Sequence, residues 1–194
     1  MAFWPYEERQ GIGEYNVGVI CMQQENWQLA EESFRESIGK NPEFAPAFVN
    51  LARTLQSMGK LGEAKKASKE ATLANSSYAN GWATHGEILL RLGELENAQI
   101  VLARAMELGS GDPAVVLNLG LALAQDGREP EALGHFRRAW RTDGDARTAG
   151  ALITALLNLR QVPEALSVAE QALQRFPNSS RLKNLHRIAL QGGQ

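Results

Sequence analysis

Five alanines, Ala30, Ala64, Ala98, Ala132 and Ala165, stand 34, 34, 34 and 33 residues apart. They sit in the related phrases Leu29-Ala30-Glu31, Glu63-Ala64-Lys65, Asn97-Ala98-Gln99, Glu131-Ala132-Leu133 and Glu164-Ala165-Leu166. Other columns keep step. Gly18, Ala52, Gly86 and Gly120 lie twelve residues before the first four alanines. Phe34, Ser68, Leu102, Phe136 and Ala169 lie four residues after the alanines, and Ser37, Ala71, Ala105, Ala139 and Ala172 seven after. A fixed period in this range means an array of like units, none able to bury its apolar face alone, so the core forms by stacking. Composition decides what each unit is. Ala and Leu supply 52 of the 194 residues, and Val and Ile only 15. Ala and Leu lose little in a helix, whereas β-branched residues lose rotamer freedom there.

With position 1 at Gly11, Ala45, Ala79, Pro113 and Ala146, the columns resemble the tetratricopeptide repeat (TPR) family. That family pattern has a bulky residue at 4, Leu-Gly at 7 and 8, an aromatic or Leu at 11, Ala at 20, an aromatic at 24, Ala at 27 and often Pro at 32. Unit 1 carries Val17-Gly18, Ala30, Phe34 and Pro42, unit 3 Trp82, Gly86, Leu89, Ala98 and Ala105, and unit 4 Leu119-Gly120, Leu123, Ala132, Phe136 and Ala139. Unit 5 departs most: Ile153 replaces the small residue and Ala169 the aromatic, and it runs one residue out of step around Asp143-Gly144-Asp145. The resemblance implies an all-α fold, a right-handed superhelical solenoid of five helix-turn-helix units (11–44, 45–78, 79–112, 113–145 and 146–179). A C-terminal capping helix and tail over 180–194 closes it. Small residues at 8 and 20 let the two helices of a unit, A and B, approach closely. Pro130 and Pro163 suit the first turn of helix B, and Pro46 and Pro113 that of helix A. Gly59, Gly93 and Gly127 suit the turn between A and B. Gly39 and Gly134 fall inside helix B at a cost of about 1 kcal/mol each against Ala, for which close packing is the expected reason.

The ends stand apart from the repeats. Asn178-Ser179-Ser180 suits an N-cap, and Leu182, Leu185, Ile188 and Ala189 form one helical stripe behind it. Residues 1–10 form an aromatic extension with Phe3, Trp4 and Tyr6 around Pro5. This extension either caps unit 1 or enters a neighbour's groove and drives homo-oligomer assembly. The start lacks a basic n-region followed by a long apolar stretch, so the expectation is a cytoplasmic chain, unless a leader was removed. No apolar run approaches the roughly 20 residues a membrane span takes. The net charge of -2 argues against nucleic acid as partner.

Chemical readings find little to hold. His85, His135 and His186 have no partner at metal-ligand spacing, and the single Cys21 falls in a core column. His85 sits at position 7 of unit 3, where a core histidine with one hydrogen bond is expected. Gly11-x-Gly13 and Gly109-Ser110-Gly111 lack the context of a phosphate loop. Lys60, Lys65, Lys66 and Lys69 form a basic stripe on helix B of unit 2, diluted by Glu63 and Glu70, and read as a solvated outer face. No enzyme, metal or cofactor is expected.

In TPR proteins the A helices line a concave groove through positions 2, 5, 6, 9, 12 and 13. The resemblance therefore implies a peptide-binding surface here. Position 6 reads Asn16, Asn50, Thr84 and Asn118, resembling the asparagine ladder of O-linked N-acetylglucosamine transferases; the carboxamide can pair with a peptide backbone's N–H and C=O. Around it lie Tyr15, Val49 and Leu117 at position 5, Val19, Arg53, Glu87 and Leu121 at position 9, Gln56 at 12, and Gln23, Arg91 and Gln125 at 13. Arg53 and Arg91 suit bidentate pairing with a ligand carboxylate, with Glu87 as competing partner. The carboxylate clamp of Hsp70/Hsp90 co-chaperones is not reproduced: its five places hold Tyr15, Val19, Asn50, Asn80 and Thr84, and only Asn50 matches. The expected function is a non-catalytic adaptor that binds an extended peptide or a partner helix. The alternatives are a self-assembling scaffold and the docking arm of a larger enzyme or secretion complex.

Overall fold

The computed structural model describes residues 10–192, which form eleven α-helices and no strand. They fall into two compact units, one up to Ser110 and one from Gly111. The first holds α1 (Ile12–Gln23), α2 (Trp27–Lys40), α3 (Ala45–Ser57), α4 (Leu61–Ala74), α5 (Ala79–Arg91) and α6 (Leu95–Glu107). The second holds α7 (Pro113–Gln125), α8 (Glu129–Asp143), α9 (Ala146–Asn158), α10 (Val162–Arg175) and α11 (Ser180–Gly192). Within each unit, every helix packs on the next in the chain, and consecutive odd-numbered helices also touch. This successive pairing is the packing of a helical-repeat solenoid.

The turn inside each pair is built the same way five times. The residue at position 15, Glu25, Gly59, Gly93, Gly127 or Arg160, is left-handed. The next N–H donates back to the carbonyl at position 11: Asn26 to Cys21, Lys60 to Leu55, Glu94 to Leu89, Arg128 to Leu123 and Gln161 to Leu156. This closes the Schellman pattern that satisfies a helix's last carbonyls. Between pairs, four residues (41–44) separate α2 from α3, but only Gly144 and Asp145 separate α8 from α9. There the Trp140 ring lies against Gly144 so closely that no Cβ fits, and the Asp145 carboxylate caps α9 by accepting from the Thr148 N–H at 2.7 Å.

The repeated small residues form the seam between A and B. All five position-20 alanines are fully buried, as is every residue of the position-27 column. A Cβ at Gly18, Gly86 or Gly120 would stand 2.6, 2.5 and 2.7 Å from Phe34, Leu102 and Phe136 respectively. Glycine at 8 is thus the partner of a large residue at 24. In the second pair Ala52 faces the smaller Ser68 column, and in the fifth the sizes are exchanged, Ile153 with Ala169, all fully buried. The expectation for Gly39 and Gly134 is corrected: a Cβ at either would meet nothing within 4 Å. Close packing does not account for them.

Candidate functional site

In the first unit the A helices α1, α3 and α5 lie side by side, and polar bonds cross both seams on one face. The Asn50 amide donates to the Tyr15 hydroxyl at 3.1 Å, joining α3 to α1, and the Gln56 amide donates to Glu87 Oε1 at 2.9 Å, joining α3 to α5. Tyr15 is held further by Phe34 and Phe44, with ring centroids at 5.9 and 5.1 Å. Tyr15 and Val19 both pack on the apolar core. Asn16, Gln23, Arg53 and Arg91 are exposed. Arg91 stands 3.7 Å from Glu87, whereas Arg53 makes no hydrogen bond or ion pair with any described residue. The two arginines therefore differ: Glu87 partly neutralises Arg91, and Arg53 has no such partner among the described residues.

Four of the expected groove residues are enclosed in the fold. Val49, Thr84, Leu117 and Asn118 are buried, at 3, 1, 2 and 5 % exposure. These positions, 5 and 6 of their units, lie near the seams between packed A helices and serve the stack. The Asn118 carbonyl oxygen accepts from Arg147 Nη2 at 3.0 Å, bridging α7 to α9. Thr84 Oγ1 is buried without a hydrogen-bond partner among the described residues. The ladder is thus broken. Asn16 is exposed, Asn50 spends one N–H on Tyr15, and the other two are enclosed.

The second unit has its own small recess. A half-open cavity of about 130 Å³ is lined by Leu121, Ala124, Phe136, Ala151 and Ala155, with Glu129, Thr154, Asn158 and Arg181 also lining it. Gly150 leaves room for the Arg181 side chain, whose Nε would stand 3.0 Å from a Cβ there. Leu121 is half-buried and Gln125 exposed. A larger groove of about 470 Å³ in the first unit lies elsewhere, between α2 and α4 over α3. Its floor is Ile38, Phe48, Leu51, Leu55 and Ala67, and Arg35, Glu63, Lys66 and Glu70 also line it. Sequence reasoning missed it. The available signal was Gly39, the helix-interior glycine that lines it.

The remaining titratable groups belong to the scaffold. His85 Nδ1 lies 2.9 Å from Ser68 Oγ, and burial, then the Lys65 and Lys69 charges, hold its pKa below the ordinary value. Cys21 is a buried free thiol. In the basic stripe, Lys60 bonds Glu31 at 2.9 Å and Lys65 bonds Glu94 at 2.6 Å, each reaching the neighbouring helix pair. The hydrogen bond from Lys60 is the main cause that holds the Glu31 carboxyl low, and that from Lys65 does the same for Glu94. Among the described residues no group of three or more His, Cys, Asp or Glu could hold a metal ion, and no helix is long and apolar enough to cross a membrane. The expected role of residues 1–10 lies almost wholly outside the described residues.

Two family models, both described as tetratricopeptide repeat, match residues 45–78 and 84–146. The chain belongs to the tetratricopeptide repeat family. Solved TPR structures agree in fold. PilF of Pseudomonas aeruginosa shares 21% identity at a TM-score of 0.83, covering 93% of this chain and 83% of that one. TTC0263, a thermophilic TPR protein of Thermus thermophilus, shares 22% at 0.73, covering 93% and 98%. YrrB, described as a TPR protein with an unusual peptide-binding site, shares 22% at 0.70, covering 82% and 83%. No curated protein matches in sequence.

Proposed function

We propose that the chain is a non-catalytic protein-interaction adaptor that binds an extended peptide across the A-helix face of its first unit. The observation that carries this reading is the exposed Arg53, unpaired among the described residues, between the two inter-helix bonds, Tyr15–Asn50 and Gln56–Glu87. Those bonds support the platform, on which Asn16, Gln23, Arg53 and Arg91 are exposed, Arg91 beside Glu87. A platform that does not reorganise loses less on binding. Arginine's planar fork suits a carboxylate on the peptide, and Asn16 and Gln23 suit its backbone. The likeness to YrrB, described as having a peptide-binding site, supports the class of ligand.

The test is a peptide library displayed on phage and panned on the whole chain, with enriched peptides titrated by calorimetry. Arg53→Ala should weaken them about tenfold or more, as loss of a charge-assisted contact does. Lys66→Ala with Lys69→Ala, on helix B, should leave affinity unchanged. Enriched peptides indifferent to Arg53 and Asn16 would remove this face from the mechanism.

A further inference from the structure

Two outer positions of the B helices, 22 and 29, are solvated in almost every pair. Position 22 is Glu32, Lys66, Gly134 and Ser167 in the first, second, fourth and fifth pairs. Position 29 is Gly39, Glu107, Arg141 and Gln174 in the first, third, fourth and fifth. The exceptions are Ile100 at position 22 of the third pair and Leu73 at position 29 of the second, 68 and 66 % exposed. At that exposure neither side chain contributes to the stack, and large apolar side chains gathered on a surface mark a contact with another molecule.

The two exceptions share one place. Position 29 of one pair and position 22 of the next line the cleft between successive B helices. At the groove of about 470 Å³ these are Gly39 on α2 and Lys66 on α4. One repeat on, across α4, the same two positions are Leu73 on α4 and Ile100 on α6. The first cleft is open because Gly39 adds no side chain, and a Cβ there would meet nothing within 4 Å. Its floor is apolar, with Phe48, Leu51 and Leu55. The B-helix face of the first compact unit thus carries an apolar hollow and an apolar ridge, on either side of α4.

We propose that this face pairs with the same face of a second copy of the chain, the Leu73–Ile100 ridge of each seated in the Gly39 groove of the other. A two-fold axis along α4 exchanges the two sides of that helix, so hollow and ridge meet twice in one closed, self-complementary contact. The charges fit this occupant. Arg35 and Glu63 on the groove rim pair with each other at 3.1 Å. Glu70 on the same rim is exposed, as is Lys69, one turn before Leu73 on the ridge side. Neither makes an ion pair with any described residue. In the dimer Lys69 of one copy meets Glu70 of the other. Lys66, also lining the groove, can lay its apolar stem against the ridge and keep its ammonium in water. The A-helix face stays open in this arrangement, so the dimer does not depend on the adaptor reading.

The experiment is sedimentation equilibrium of the full chain from about 1 μM to about 1 mM, where a monomer–dimer equilibrium is expected. Gly39→Leu fills the groove, and Leu73→Ser with Ile100→Ser removes the ridge. Each should raise the dimer Kd about tenfold or more. All three positions are exposed, so the variants keep the fold. An equimolar mixture of the two variants should dimerise more tightly than either alone, because the mixed dimer keeps one intact ridge and groove. A chain monomeric throughout would overturn the proposal and leave the groove to a partner of another kind. A dimer indifferent to both variants, a mixture no tighter than its components, or assemblies that grow beyond two copies would also overturn it.

Discussion

At the scale of single residues, the seam between A and B helices is a matching of sizes. Gly120 leaves a Cβ position 2.7 Å from Phe136, so Gly120→Ala should destabilise by about 1–3 kcal/mol, the usual cost of overpacking, read from the urea midpoint. Gly134→Ala should do the reverse, gaining up to about 1 kcal/mol, because its Cβ meets open space on a helix. His85 makes a pH prediction. Burial keeps it neutral in the fold below its ordinary pKa of about 6.5. The unfolded chain takes up that proton first, so stability should fall as pH drops below about 6.5 and be unaffected above. His85→Gln should flatten part of that fall, and His135, also lowered by burial, should retain the rest. The carboxylates held low by partners, Glu31, Glu94 and Glu164, lose their contribution only below about pH 4.5, a separate window. The glycine and alanine columns were visible in the sequence because they recur. The size exchange of Ile153 with Ala169 was not, since it looks like two lost motif residues until both are seen to fill one seam.

Among elements, the five Schellman turns offer a comparison with its own controls. Three use glycine at position 15, and Glu25 and Arg160 hold the same left-handed conformation with φ 57°. A side chain costs about 1–2 kcal/mol there, so Arg160→Gly should stabilise the α9–α10 pair by about 1 kcal/mol, measured by hydrogen exchange in those helices. In the same pair, Ile153→Ala should cost about 2–5 kcal/mol as a cavity, and adding Ala169→Leu should return much of it. Helix starts were readable from Pro46, Pro113, Pro130 and Pro163, since proline is at home in a first turn. Gly39 was misread as a packing residue because sequence records a glycine's presence, not the space around it. That space proved to be the groove between α2 and α4.

For the whole molecule, periodicity made the fold legible and left the binding surface half legible. Position in the repeat shows which side chains lie toward the A-helix face. It does not show how deeply consecutive A helices bury positions 5 and 6, where Val49, Thr84, Leu117 and Asn118 are enclosed. What stays exposed of the expected set in the first unit, Asn16, Gln23, Arg53 and Arg91, is a smaller and more cationic set than the ladder alone implied. The central claim is that this set captures a peptide, and calorimetric titration of library-selected peptides against wild type and Arg53→Ala plus Asn16→Ala tests it most directly. The account predicts at least about a tenfold loss of affinity in the double variant, with hydrogen-exchange protection of α1 and α3 unchanged. Equal affinity for both proteins, or no enriched peptide at all, would contradict it.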